Sequence, residues 1–132
     1  MYVHFEMREE ISNWWKQAEK DLSAAKNSLI SGDYEWASFQ SNQAAKKGLK
    51  ALYLKEKKEI FPTHNLILLA KKLKLPLEII NLLKELNPDY TMSRYPDAAN
   101  APPFENYNDK KAKEKITFAE EVLKWIRKRL EK

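Results

Sequence analysis

The sequence predicts an all-α fold: an antiparallel up-and-down bundle of about five helices, with a long Pro/aromatic loop before the last one. Three observations predict it. Apolar residues recur three or four apart over long stretches of the chain. No segment alternates polar with apolar at the period of two that a half-buried strand shows, and no repeat of 20 to 50 residues is present. Of two glycines and six prolines in 132 residues, only Gly48 falls inside a periodic stretch.

Residues 8–31 carry Ile11, Trp14, Trp15, Ala18, Leu22, Ala25 and Leu29 on one face and Lys16, Lys20 and Lys26 on the other. A helix of this length runs roughly 35 Å. "SGD" at 31–33 ends it, with Gly32 as the left-handed terminal residue and Asp33 as the cap of the next helix. That second helix, about 34–57, has a stripe of small residues (Ala37, Ser41, Ala44, Ala45, Gly48) before Leu49, Leu52, Tyr53 and Leu54. Glycine inside a helix costs about 1 kcal/mol relative to alanine, so Gly48 marks a close approach of another helix. "FPTHNL" at 61–66 breaks the pattern and starts a third helix with Thr63 as its cap and Leu66, Leu69, Ala70 and Leu73 inward. Pro76 suits the first turn of a fourth, through Leu77, Ile80 and Leu83 to about Leu86. Asn108 or Asp109 caps the fifth, whose seam is Ala112, Ile116, Ala119, Leu123, Ile126 and Leu130.

Composition narrows the function classes. A chain of this length reads as one domain, residues 1–132. With no cysteine there is neither a disulfide framework nor a thiolate metal site, which fits a reducing cytoplasm. No apolar run is long enough to span a membrane, and MYVHFEMREE lacks a signal peptide's layout. Charged residues make up 33% of the chain, with little Gly, a balance met in thermophile proteins. Two basic segments stand out: 109–132, with nine Lys/Arg against five Asp/Glu, and the run Lys46, Lys47, Lys50, Lys55, Lys57, Lys58. Each either faces a polyanion or is a solvated surface. Gly32 and Gly48 alone cannot build a phosphate-cradling loop. His4 and His64 lie sixty residues apart without metal-ligand spacing, so no metal and no cofactor is expected. A lone His64 near a helix start reads first as structural.

Residues 90–107, YTMSRYPDAANAPPFENY, follow neither period. They hold four aromatic rings, three prolines and one arginine. Two readings fit. In one, a stiffened loop presents Arg94 with Tyr90, Tyr95, Phe104 and Tyr107 to a nucleotide, the guanidinium forking onto phosphate and bases stacking on rings. In the other, the loop plugs the bundle end and Arg94 is taken up by carbonyls or by Asp97.

The segments "WWKQAEKDLSAAKNSLISGDYEWASFQSNQAAKKGLKALYL", "THNLILLAKKL" and "DYTMSRYPDA", followed by a long C-terminal helix, resemble the HEPN family over roughly residues 12–130. The resemblance implies a helical bundle, a homodimer, and a chain that works with a separate small nucleotidyltransferase, at times as the toxin of a toxin–antitoxin pair. Many HEPN proteins are metal-independent ribonucleases whose signature is an arginine followed four to six residues later by a histidine. Arg94 matches the arginine, but positions 99 to 101 are Ala99, Asn100 and Ala101. Asn100 cannot exchange a proton near neutral pH, which leaves the acid–base step without a carrier unless the fold brings His64 there.

The expected function is therefore non-catalytic binding of a nucleotide or nucleic acid, with no catalytic residue and with Arg94, Tyr95, Asp97, Tyr90, Asn100 and His64 as the candidate site. The alternatives are an endoribonuclease with a degenerate motif, and a protein-interaction scaffold using exposed tryptophans. Self-association is expected through the small-residue stripe of the second helix or through Phe118, Val122 and Trp125 of the last.

Overall fold

The computed structural model describes residues 2–132, with side chains described from Arg8 onward. His4 thus lies outside the described side chains. The elements are α1 (Tyr2–Ser31), α2 (Tyr34–Lys57), α3 (Leu66–Lys72), α4 (Leu77–Leu86), two single-turn helices α5 (Asp89–Met92) and α6 (Pro96–Ala99), a 3-10 turn (Pro103–Asn106) and α7 (Asp109–Leu130). No strand occurs among the described residues, and none of their helices is long and apolar enough to cross a membrane.

α2 is the central element. It packs along α1 on one side and α7 on the other, while α3 and α4 close the bundle against α2 and α7. The small residues of α2 permit this: Ala37, Ser41, Ala44 and Ala45 are fully buried. A Cβ added at Gly48 would stand 2.4 Å from Leu123 Cδ2 and 3.3 Å from Ile126 Cδ1, so the glycine is where α7 crosses. The stripe is consumed by the core of this chain and is not the self-contact surface the sequence suggested. Val122 is likewise fully buried, and Phe118 and Trp125 pack against the core half-buried. Leu49, Leu52, Leu66, Leu69, Leu73, Leu83, Leu86 and Ile126 fill the centre.

The caps explain most boundaries. Gly32 takes φ +80°, as its place after α1 requires. Asn108 caps α7 by accepting from the Lys111 N–H. α3 is capped by Asn65, which accepts from Ile67 and Leu68, rather than by Thr63, whose hydroxyl instead accepts from the Asn65 N–H. Pro76 sits just ahead of α4, its carbonyl accepting from Ile79 and Ile80.

The aperiodic segment is anchored at its root. Asp89, buried at the start of α5, accepts from the Tyr107 hydroxyl at 2.6 Å and pairs with the Lys115 ammonium of α7 at 2.9 Å. Lys115 also donates to the Glu85 carbonyl, and the Ser93 hydroxyl donates to the Asp89 carbonyl. Burial pushes the Asp89 carboxyl up, with Lys115 and Tyr107 opposing. Burial and the same carboxylate push the Tyr107 phenol up.

Candidate functional site

The root of the segment faces inward and its middle faces water. Asn87 Oδ1 accepts from the Leu66 N–H at 2.9 Å, which ties the start of α3 to the end of α4. His64 precedes that tie and Tyr90 follows it, so the two rings are brought together. They stack with centroids 4.1 Å apart and planes 17° from parallel. The short approach of the Tyr90 hydroxyl to His64 Nε2, 3.2 Å, belongs to this face-to-face arrangement.

Lys46 of α2 reaches the same pair. Its ammonium lies 2.9 Å from His64 Nδ1 and 4.8 Å from the centroid of Tyr90. A charged ammonium only donates, so Nδ1 accepts and the imidazole proton sits on Nε2. Lys46 is 4% exposed and forms no ion pair among the described residues. Its burial, together with Lys50, Lys47 and Arg94, outweighs the attraction of Asp21 and lowers its pKa to about 8. The His64 imidazole is lowered as well, by burial and by Lys46 and Lys50.

Arg94 completes the cluster. It is exposed and lies over three rings: Phe39 at 4.8 Å, Tyr95 at 5.2 Å and Tyr90 at 5.9 Å. No carboxylate pairs with it among the described residues. The sequence left open that Asp97 would take it up; Asp97 instead stands exposed in the first turn of α6 without an ion pair among the described residues. Asn100 is placed by conformation: it closes α6 at φ +57°, a left-handed position that suits asparagine among non-glycine residues. The fold thus joins Arg94, Tyr90, Tyr95 and His64, and leaves Asp97 and Asn100 outside the contacts of the guanidinium.

Sequence reasoning missed Phe39 and did not single out Lys46 from the basic run. The signal was there: residues 39, 46 and 50 lie on one face of α2 at spacings of seven and four. The rest of that run is dispersed, with Lys47 paired to Asp21 at 2.7 Å and Lys55 bound to the Leu130 carbonyl. The basic helix α7 is also partly neutralised, through Lys113–Asp109, Lys115–Asp89, Arg127–Glu131 and Arg129–Glu56. The local excess of positive charge at Lys46, Lys50 and Arg94 has no such partner among the described residues.

Comparison with known proteins agrees with this architecture. The HEPN domain family matches residues 11–130. No curated protein matches. Among solved structures, TT1696 from Thermus thermophilus is 31% identical, with a TM-score of 0.85 over 90% of this chain and 97% of its own. ST0689, an archaeal HEPN homologue, is 34% identical, with a TM-score of 0.80 over 91% and 97% of the two chains. An HEPN domain protein from Thermotoga maritima, tm0613, shares the fold at 24% identity and a TM-score of 0.73, covering 91% and 98%.

Proposed function

The chain belongs to the HEPN domain family, and from that premise we propose that it binds the phosphate of a nucleotide or nucleic acid at Arg94, as a non-catalytic module. The observation that carries the reading is the condition of Arg94, an exposed guanidinium braced on Phe39, Tyr90 and Tyr95 with no carboxylate among the described residues to satisfy it. A guanidinium in that state offers its fork to a phosphate, and the rings that hold it give a base a surface to stack on. Lys46 adds a second cation across Tyr90, and a bound anion relieves the repulsion among Lys46, Lys50 and Arg94. His64, Tyr90 and Tyr95 belong to this site; Asp97 and Asn100 border it on the same segment.

Titration of the purified protein with ATP and short RNAs at two salt concentrations tests the reading. Binding that weakens with salt and is lost in Arg94→Ala supports it; no binding by the wild type, or equal binding by the variant, overturns it. The family premise extends the proposal to a homodimer in a toxin–antitoxin type pair with a small nucleotidyltransferase. Sedimentation at micromolar concentration checks the first part, and copurification with the product of an adjacent nucleotidyltransferase gene checks the second.

One observation favours a second reading, a metal-independent endoribonuclease. His64 stacks on the ring that Arg94 also touches, and its pKa is lowered, which favours the neutral imidazole; to act as a base its Nδ1 must first be released by Lys46. In this reading His64 supplies the proton transfer that the spacing after Arg94 lacks. RNA cleavage in EDTA that disappears in both Arg94→Ala and His64→Ala supports it over simple binding.

A further inference from the structure

On the side of Arg94 formed with the start of α2 lies a concavity of about 350 Å³ lined by Glu35, Trp36, Ser93, Arg94, Pro103 and Phe104. Two of its walls are large rings left open to solvent, Trp36 at 49% and Phe104 at 62% exposure. The walls are held in place. Trp36 meets Phe39 edge to face at 5.9 Å, and Phe39 is the ring beneath Arg94. Ser93 is hydrogen-bonded inward to Asp89, and Pro103 follows Pro102 in a stiff turn.

The polar groups of the concavity have opposite demands. Arg94 only donates and Glu35 only accepts, and Glu35 forms no ion pair among the described residues. A bare phosphate satisfies the arginine and is repelled by the carboxylate. A basic side chain of a partner protein satisfies the carboxylate and the rings but meets Arg94. A nucleotide satisfies both if its base carries donors on the outer edge. Guanine does so best, because its N1–H and N2–H point the same way and match the two oxygens of a carboxylate, whereas adenine and cytosine each offer a single amino group and uracil a single N–H.

We propose that this concavity is a nucleobase subsite with a preference for guanine, the base lying against Trp36 and Phe104, its donor edge on Glu35 and its phosphate on Arg94. The inference rests on the phosphate-binding reading of Arg94 and adds to it a ligand class. Calorimetric titration of the intact protein at pH 7.5 with GMP, AMP and ribose 5-phosphate separates the two. GMP is expected to bind about tenfold more tightly than AMP, and both more tightly than the base-free ribose 5-phosphate. Glu35→Gln should abolish the preference for GMP over AMP and, with the carboxylate's repulsion gone, leave ribose 5-phosphate binding as tight or tighter. Trp36→Ala and Phe104→Ala should each reduce binding of both nucleotides several-fold and again spare ribose 5-phosphate.

If all three ligands bind alike and Glu35→Gln is without effect, the subsite is refuted while the phosphate site stands. If N-acetylarginine amide binds the wild type and GMP does not, the concavity is a protein-contact pocket and the proposal fails. If none of the three ligands binds, the phosphate reading falls and the subsite with it. Trp36 and Phe104 are exposed and Glu35 is half-buried outside the core, and circular dichroism of each variant checks that the fold is intact.

Discussion

Lys46 and Lys115 are withdrawn from water to nearly the same extent, at 4% and 8% exposure, yet they are surrounded in opposite ways. Lys115 meets a buried carboxylate, Asp89, and the Glu85 carbonyl. Lys46 meets an imidazole, the face of a tyrosine and the fields of Lys47, Lys50 and Arg94, with only Asp21 to offset them. A buried charge that is paired belongs to the architecture; one crowded by its own sign is a candidate for holding an anion, as proposed above. Both lysines act on the same segment: Lys115 fastens its root through Asp89, and Lys46 stands behind its exposed middle through Tyr90.

The largest effect expected from this contrast is on stability. Lys115→Ala leaves the Asp89 carboxylate buried without its cation and should cost about 3–5 kcal/mol, measured by urea unfolding at pH 7. Asp89 protonation would blunt the loss, so a smaller deficit at pH 5 than at pH 7 is part of the same prediction. Next comes affinity. Arg94→Ala should weaken AMP binding at least tenfold and change stability by less than about 0.5 kcal/mol, since the guanidinium is exposed and without a carboxylate partner among the described residues. A stability loss comparable to that of Lys115→Ala would place Arg94 with the architecture instead.

Smaller effects follow from Lys46. Its folded pKa, about 8, lies below the ordinary lysine value of 10.5, so the folded state binds fewer protons than the unfolded chain between those values. The strain of the buried charge is therefore present below pH 8, and stability should rise as pH climbs from about 8 towards 10.5. Lys46→Met should remove that slope and, at pH 7, stabilise the protein by on the order of 1 kcal/mol, the reverse of Lys115→Ala. Affinity runs the other way. Between pH 7.5 and 9.5 the AMP phosphate keeps its charge while Lys46 loses its own, so binding should weaken about three- to tenfold, and Lys46→Met should flatten the profile.

Much of the scaffold was legible because it is written locally. Gly32, Asn108 and the apolar spacing of α2 and α7 act within a turn or two of themselves, and Gly48 announces a helix crossing by what it lacks. The small turns α5 and α6 and the 3-10 turn were not legible, since four residues carry no period. The sequence predicts Thr63 as the cap of α3, and the cap is Asn65 instead, through its bonds to Ile67 and Leu68. At the candidate site, Arg94 and its neighbouring tyrosines could be read from one short segment. The Lys46–His64–Tyr90 contact could not, because its members are separated by 18 and 26 residues and are brought together by the packing of α2, the Asn87 tie and the start of α5. Arg94 and Asp97 show the converse: three residues apart, they form no pair, so nearness in sequence does not make a contact.

We propose that Lys46 and Arg94, both set against the Tyr90 ring, form one anion site. Its most direct test is the pKa of Lys46, followed by NMR of its side-chain Cε and Nζ with pH, in the free protein and at saturating AMP. The claim predicts a value of about 8 in the free protein that rises by roughly one unit or more when the phosphate arrives. A Lys46 that titrates identically with and without the nucleotide would contradict it.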